Sequence, residues 1–341
     1  MKSDIALKLA ARLCAAITIG VMAFLPIARS EAATPLTQRM AGDYPDKPIR
    51  IIDPFAAGGS TDYMARLIGQ KITERFGQPV IVDNRPGAAG NLAAELVAKA
   101  TPDGYTLLMA VVSALAPSVS LYPGLGYDVM KDFAYVTLLA GGSYVLVVTP
   151  SVPARSVAEL VVLAKSRPGQ ISYGSSGVGG PLHLAGELLK SRAGVDMLHV
   201  PYKGAAPIMA AVAAGEVHVG FASVAGALPL IKAGRVTALA VTSAKRAKPF
   251  PELPTIAESG FPGFDVTPWY GVLAPGATPA AIVTALNLEI GRILQLPDVQ
   301  AKFAAQGLEV TASTPERFKQ IIQTEIEQSA KVIKDAGIKP E

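Results

Sequence analysis

The stretch Ile49-Arg50-Ile51-Ile52-Asp53-Pro54-Phe55-Ala56-Ala57-Gly58-Gly59-Ser60-Thr61-Asp62 decides the fold. Its first five residues are an apolar run between Pro48 and Pro54, which reads as a short strand. The segment from Ala56 to Ser60 reads as a glycine-rich turn. Ser60 suits an N-cap, and Tyr63, Leu67, Ile68 and Ile72 then share one face of a helix to about Phe76, closed by Gly77. Strand, tight turn and helix in that order form the repeating unit of a parallel βαβ sheet.

Outward from there the unit recurs. Residues 80–82 read as a strand, 84–91 as a second glycine-rich turn and 92–100 as a helix. A turn at 101–104 leads into a strand at 105–112. The apolar segment 135–148 is interrupted by Gly141 and Gly142, so it reads as a strand leaving one domain, a hinge, and a strand entering another. Further strands are expected at 171–173, 197–200, 218–222, 237–242 and 269–274, with a return crossing near 262–265. Two helices close the chain from Thr278 and Pro315, the second burying Phe318, Ile321, Ile322, Ile326 and Ile333.

The chain has 341 residues, a length suited to two domains. Half of it is hydrophobic and 17% is charged, which excludes a disordered chain. The net charge of +4 is dispersed and aromatics make up 6%, which excludes a nucleic-acid groove. Residues 1–32 follow their own pattern: Lys2, Lys8 and Arg12, then an apolar stretch, then small residues around Ser30 and Ala32. That is the layout of a secretory signal, and the stretch is short for a membrane anchor. The single cysteine, Cys14, lies inside it, so the mature chain has no disulfide, thiolate metal site or cysteine nucleophile. An exported, cysteine-free chain fits the periplasm of a Gram-negative bacterium.

In open parallel sheets ligands sit beyond the carboxyl ends of the strands. Two turns occupy such places: 54–62, and 174–183 with the sequence Gly-Ser-Ser-Gly-Val-Gly-Gly-Pro-Leu-His. Each precedes a helix, whose free N–H groups and positive dipole end suit an anion. Such turns also serve simply to reverse a chain, so each alone is a weak signal. Asp62, in the first helical turn, either complements the dipole or orders water or a cationic part of a ligand. No nucleophile elbow, dinucleotide fingerprint or Walker sequence is present. His183, His199 and His218 are too widely spaced for a local metal motif, and the last two read as core residues. The sequence therefore points to no metal and no cofactor, and to a binding protein rather than the alternative, an exported α/β enzyme whose active-site parts lie far apart in sequence.

At this point the residues resemble a known family. Tyr44-Pro45-Asp46-Lys47-Pro48, the 54–62 turn, Asn84-Arg85-Pro86-Gly87-Ala88 and Pro102-Asp103-Gly104-Tyr105 occur in order with further landmarks. These include His199-Val200-Pro201-Tyr202-Lys203-Gly204, Ala238-Leu239-Ala240-Val241-Thr242 and Leu273-Ala274-Pro275. Together they are similar to the Bug family, the solute-binding components of tripartite tricarboxylate transporters. The resemblance implies an α/β, two-domain periplasmic-binding-protein fold of type II, with a mainly parallel sheet flanked by helices in each domain. Residues 33–142 with 264–341 would form one domain and 143–263 the other. It also implies a small carboxylate (a di- or tricarboxylate, an amino acid or an aromatic acid) held in the cleft by a monomer. Carried over, the grip falls on Phe55, Ala56, Ala57, Gly58, Gly59 and Asp62, and on Ser175, Ser176, Gly177, Val178, Gly180 and His183. Ser113, Tyr202 and Ser223 are candidates for the distal part of the ligand. The implied partners are membrane permease subunits or, alternatively, a sensor kinase. Departures from the family pattern lie near the cleft: Ala56 and Ala57 beside the glycines, Gly180 in place of a frequent serine, and Asp53 in place of an apolar residue.

Overall fold

The computed structural model describes residues 40–335, 337 and 338. The expected signal, residues 1–32, lies outside the described residues. In chain order the first elements are β1 (Ile49–Asp53), α1 (Ser60–Phe76), β2 (Val80–Asn84), α2 (Asn91–Ala98), β3 (Thr106–Val111), α3 (Val112–Leu121) and β4 (Phe133–Gly141). Then come β5 (Tyr144–Val148), α4 (Val157–Ser166), β6 (Ser172–Ser175), α5 (Pro181–Ala193), β7 (Leu198–Pro201), α6 (Ala205–Ala214), β8 (Val219–Ser223), α7 (Val224–Lys232) and β9 (Thr237–Val241). The chain ends with β10 (Trp269–Pro275), α8 (Ala280–Leu294), α9 (Pro297–Ala305), β11 (Glu309–Val310) and α10 (Pro315–Asp335).

The strands form two sheets, ordered β11-β4-β10-β3-β1-β2 and β7-β6-β8-β5-β9. Both are mixed where the sequence reading expects mainly parallel ones. β1 pairs in parallel with β2 and β3, and β6 with β7 and β8. β10 runs against β3 and β4, β11 against β4, and β5 against β8 and β9. The cause is the crossing: β5 enters the second sheet and β10 re-enters the first from the shared edge, so each opposes its neighbours.

Alternation along the strands feeds both faces. In the first sheet Ile51 and Leu107 pack with Met64 and Ile72 under α1, while Ile52 and Leu108 pack on the other face with Leu115, Phe318 and Ile322. The second sheet has a core of its own, running from Tyr144 to Phe264. Each sheet with its helices is a lobe. The lobes are joined at 141–144, where the Gly142 N–H donates to the Pro268 carbonyl at 3.1 Å, and at 266–269. Val266 still bonds to Thr242 of the second lobe, so the return crossing follows it, slightly later than expected.

Three local details differ from the sequence reading. The N-cap of α1 is Gly59, so Ser60 is the first helical residue and its hydroxyl caps nothing. Residues 112–121 form a helix directly after β3, with no cap side chain and with Pro117 inside it. Three helices rather than two close the chain, because Pro297 starts a new one after α8. Among the described residues no helix is long and apolar enough to cross a membrane.

Candidate functional site

The parallel strands of both sheets end toward one another, and the antiparallel β5 and β10 begin at that same edge. Between the sheets lies a cavity of about 40 Å³. The first lobe lines it with Phe55, Gly59, Ser60, Thr61, Val111 and Tyr270, and the second with Tyr144, Ser176, Pro181, Leu182, Ala205 and Ser223. All but Phe55 and Ala205 are buried. None is basic.

Five of the helices begin at this cavity. Gly59 caps α1, Val111 caps α3 and Ser223 caps α7, while Pro181 opens α5 and Ala205 opens α6. Four of the five have no side-chain cap; only Ser223 accepts an N–H, that of Gly226. Unpaired N–H groups and dipoles therefore point inward, which gives positive potential without a cationic side chain.

Hydroxyls lie in the lining and directly behind it. Those of Ser60, Ser113 and Ser176 are buried with no partner at full hydrogen-bond geometry among the described residues. Ser60 faces the Tyr270 phenol and Ser113 that of Tyr144. Burial raises both phenols above the ordinary tyrosine range, so they stay neutral donors. A side chain at 180 would begin 2.6 Å from the Ser176 Oγ. Gly180 in place of serine thus leaves the Ser176 hydroxyl its position, rather than costing the site a donor.

The two carboxylates near the first turn have other tasks. Asp62 pairs with Arg66 at 2.8 Å and accepts the Gly58 N–H at 3.2 Å. Burial pushes its pKa up, but Arg66 and the Gly58 N–H outweigh that and hold it below the ordinary carboxylate range. Asp62 stitches the turn to its helix and does not line the cavity. Asp53, wholly buried, accepts the Phe55 N–H at 2.8 Å and the Thr61 hydroxyl at 3.0 Å.

The lobes meet at both rims. On one side the Ala56 N–H donates to the Lys203 carbonyl at 3.0 Å, and a Cβ on Gly58 would lie 3.8 Å from that of Ala206. On the other, the Tyr122 hydroxyl donates to the Val178 carbonyl at 2.6 Å. Gly177, at φ +104, comes so close to Ala89 that a Cβ would lie 3.3 Å from its backbone nitrogen. The described conformation is closed.

Of the residues singled out from sequence, Phe55, Gly59, Ser176 and Ser223 line the cavity. Ser113 stands behind Tyr144. Ala56, Gly58, Gly177 and Val178 make the rim contacts, and Ala57 is exposed beside them. Gly180 caps α5, and the Nδ1 of His183 accepts the Gly179 N–H at 3.1 Å, holding the second turn. Ser175 turns its hydroxyl to His199, inside its own lobe. Tyr202 donates its N–H to Ser175 and packs by Gly174, away from the cavity. Sequence reasoning missed Ser60, Thr61, Tyr144 and Tyr270. The tyrosines start antiparallel strands, which the rule of parallel-strand carboxyl ends does not reach.

A wider groove of about 740 Å³ lies on the crossing side, beside Gly142, Ser143 and Trp269. Of its three basic residues, Lys245, Arg246 and Lys248, the last two pair with Glu258 and Glu309, and among the described residues it has no buried unpartnered polar side chain, so the smaller cavity is the better-built site. Among the described residues no group of three or more His, Cys, Asp or Glu could hold a metal ion.

Residues 64–338 match the tripartite tricarboxylate transporter family receptor. The chain is 37% identical over 314 residues to Protein BugT of Bordetella pertussis, covering 92% of this chain and 95% of that protein. Among solved structures, R. palustris Rpa4515 with adipate has a TM-score of 0.83 at 39% identity, covering 88% of this chain and all of that one (100%). MatC from Rhodopseudomonas palustris with bound malate gives 0.81 at 32% identity, covering 85% and 100%. The two-lobed α/β fold is the one these proteins share.

Proposed function

The chain belongs to the family of tripartite tricarboxylate transporter receptors, and on that premise we propose that it is a non-catalytic, exported receptor for one small carboxylate. The observation that carries the reading is the convergence of five helix N-termini on a cavity lined by no basic side chain. Backbone N–H groups and dipoles of that kind select an anion. The buried hydroxyls of Ser60 and Ser176 add donors for its oxygens. Similar proteins whose solved structures hold adipate and malate support a short dicarboxylate as the first class to test.

The lobes act as two domains, residues 40–142 with 267–335 and residues 143–266, that swing about 141–144 and 266–269. Phe55, Gly59, Ser60, Ser176, Ser223, Tyr144 and Tyr270 contact the ligand, while Ala56, Gly177 and Val178 seal the rim. The order of basic, apolar and small residues in 1–32 supports export to the periplasm, and the closed form would hand its solute to a membrane permease.

The test is a thermal-shift screen of the mature chain, refolded to strip retained ligand, against mono-, di- and tricarboxylates and their methyl esters. A ligand that binds only the folded state raises Tm by mass action. A rise with an acid that disappears on esterification supports the receptor reading. No rise with any acid, or a rise with esters alone, sinks it.

A further inference from the structure

Asp53 is the feature that this reading leaves unexplained. It ends β1, is 0% exposed, and its two carboxyl oxygens differ. Oδ1 holds the Phe55 N–H and the Thr61 hydroxyl, and both of those residues line the cavity. Oδ2 is buried with no hydrogen-bond partner among the described residues. One carboxyl thus ties both ends of the anion-facing turn, a single hydrogen bond away from the cavity wall.

The charges around it are already matched to one another. On α1, Asp62 pairs with Arg66. On β2, Asp83 pairs with Arg50 of β1 and with Arg85 just beyond the strand. On α2, Glu95 pairs with Lys99. β3 contributes no titratable side chain. A negative charge on Asp53 therefore has no direct partner at Oδ2 among the described residues, feels the Asp62–Arg66 pair only at a distance and with opposing signs, and faces the turn that would receive an anion. Burial is the main effect on this carboxyl, only partly offset by the Phe55 N–H and the Thr61 hydroxyl, and pushes its pKa up to about 7.

We propose that Asp53 couples ligand capture to uptake of a proton, so that the receptor holds its carboxylate more tightly as the pH falls through the neutral range. The inference rests on the carboxylate reading above. An anion at the first turn repels a charged Asp53 and favours the neutral form, raising its pKa in the loaded state. Between the unloaded and loaded pKa values binding takes up a proton, and by linkage the affinity declines as pH rises across that window. Asp53 is a positioning residue here, acting through Phe55 and Thr61.

The test measures Kd for acetate, succinate, malate and adipate by calorimetry between about pH 6.5 and 8.5, where all four acids are ionised. Two buffers of different ionisation enthalpy report the protons taken up. A single linked proton changes Kd by no more than tenfold per pH unit, and a weakening of roughly three- to tenfold across the range is expected. Asp53→Asn keeps an acceptor for Phe55 and Thr61 but cannot titrate, so its profile is flat and its affinity at the acid end is retained. Carboxyl-carbon NMR of the unsubstituted protein gives a second, ligand-free readout, with a titration midpoint near 7 that moves up when adipate is added. A midpoint below about 5, in the ordinary carboxylate range, overturns the proposal while leaving the receptor reading standing. So do equal pH slopes in the two proteins. Failure of both proteins to bind any mono-, di- or tricarboxylate of the thermal-shift panel removes the receptor reading and the proposal together.

Discussion

Tyr122→Phe isolates the energetics of closure. The Tyr122 hydroxyl belongs to the first lobe and its acceptor, the Val178 carbonyl, to the second, so their 2.6 Å bond exists only when the lobes meet. The substitution removes one oxygen and keeps the ring in place. A neutral hydrogen bond of this kind contributes about 0.5–1.5 kcal/mol net, so the closed state should lose about 1 kcal/mol. That corresponds to roughly a fivefold rise in Kd, and closure bonds break in dissociation, so the change should fall on the off-rate rather than the on-rate. Stopped-flow binding of adipate, or of whichever acid gives the larger thermal shift, measures both rates. If the lobes swing apart in the unliganded protein, as proposed above, its melting temperature should stay put, because an open receptor does not make this bond. Unchanged off-rate within twofold, or a drop in unliganded stability that accounts for the whole effect, would refute the reasoning.

Ser176→Ala removes a buried donor that has no hydrogen-bond partner among the described residues, so it should weaken carboxylate binding by roughly tenfold without lowering the unliganded melting temperature. Titration calorimetry and thermal unfolding on the same samples check the pair of outcomes. Gly186→Ala would place a Cβ 2.3 Å from the Tyr173 ring, and overpacking of that kind costs about 1–3 kcal/mol. Its denaturation midpoint should fall while Kd holds. His183 is buried and its pKa is lowered, chiefly by burial, so the unfolded chain takes up that proton first. Stability should therefore be full above about pH 6.5 and decline as the pH falls below it. His183→Asn, which keeps an acceptor for the Gly179 N–H, should flatten that acid-side slope in melting curves.

Much of the fold can be read in the sequence because its signals are local. The run at 49–53, the glycine at 77 with φ +73 and the Gly141-Gly142 break all coincide with element ends in the structure. α3 was invisible for an equally local reason: Val112 follows β3 with no capping residue, and Pro117 interrupts the helical pattern. α4 did carry a signal, Ser156 followed by Glu159, and the Ser156 hydroxyl accepts the Glu159 N–H at 3.2 Å. The turns of the candidate site were legible from glycine spacing. Tyr144 and Tyr270 were not, since their placement depends on which strands run antiparallel, and strand direction is fixed by pairing across the sheet. Ser60 reads as a cap, yet its hydroxyl lines the cavity, because Gly59 takes the cap position.

The rim contacts decide what the outside world can know about the contents. Once Ala56 meets Lys203 and Tyr122 meets Val178, a solute between the lobes lies behind their walls. A macromolecule that approaches this closed form cannot inspect the cargo. It meets only an outer surface on which patches of two lobes have been brought into register. If the chain is the receptor proposed above, the message available to a partner is binary, shut or not shut, and all chemical discrimination has to be completed inside before that message is sent.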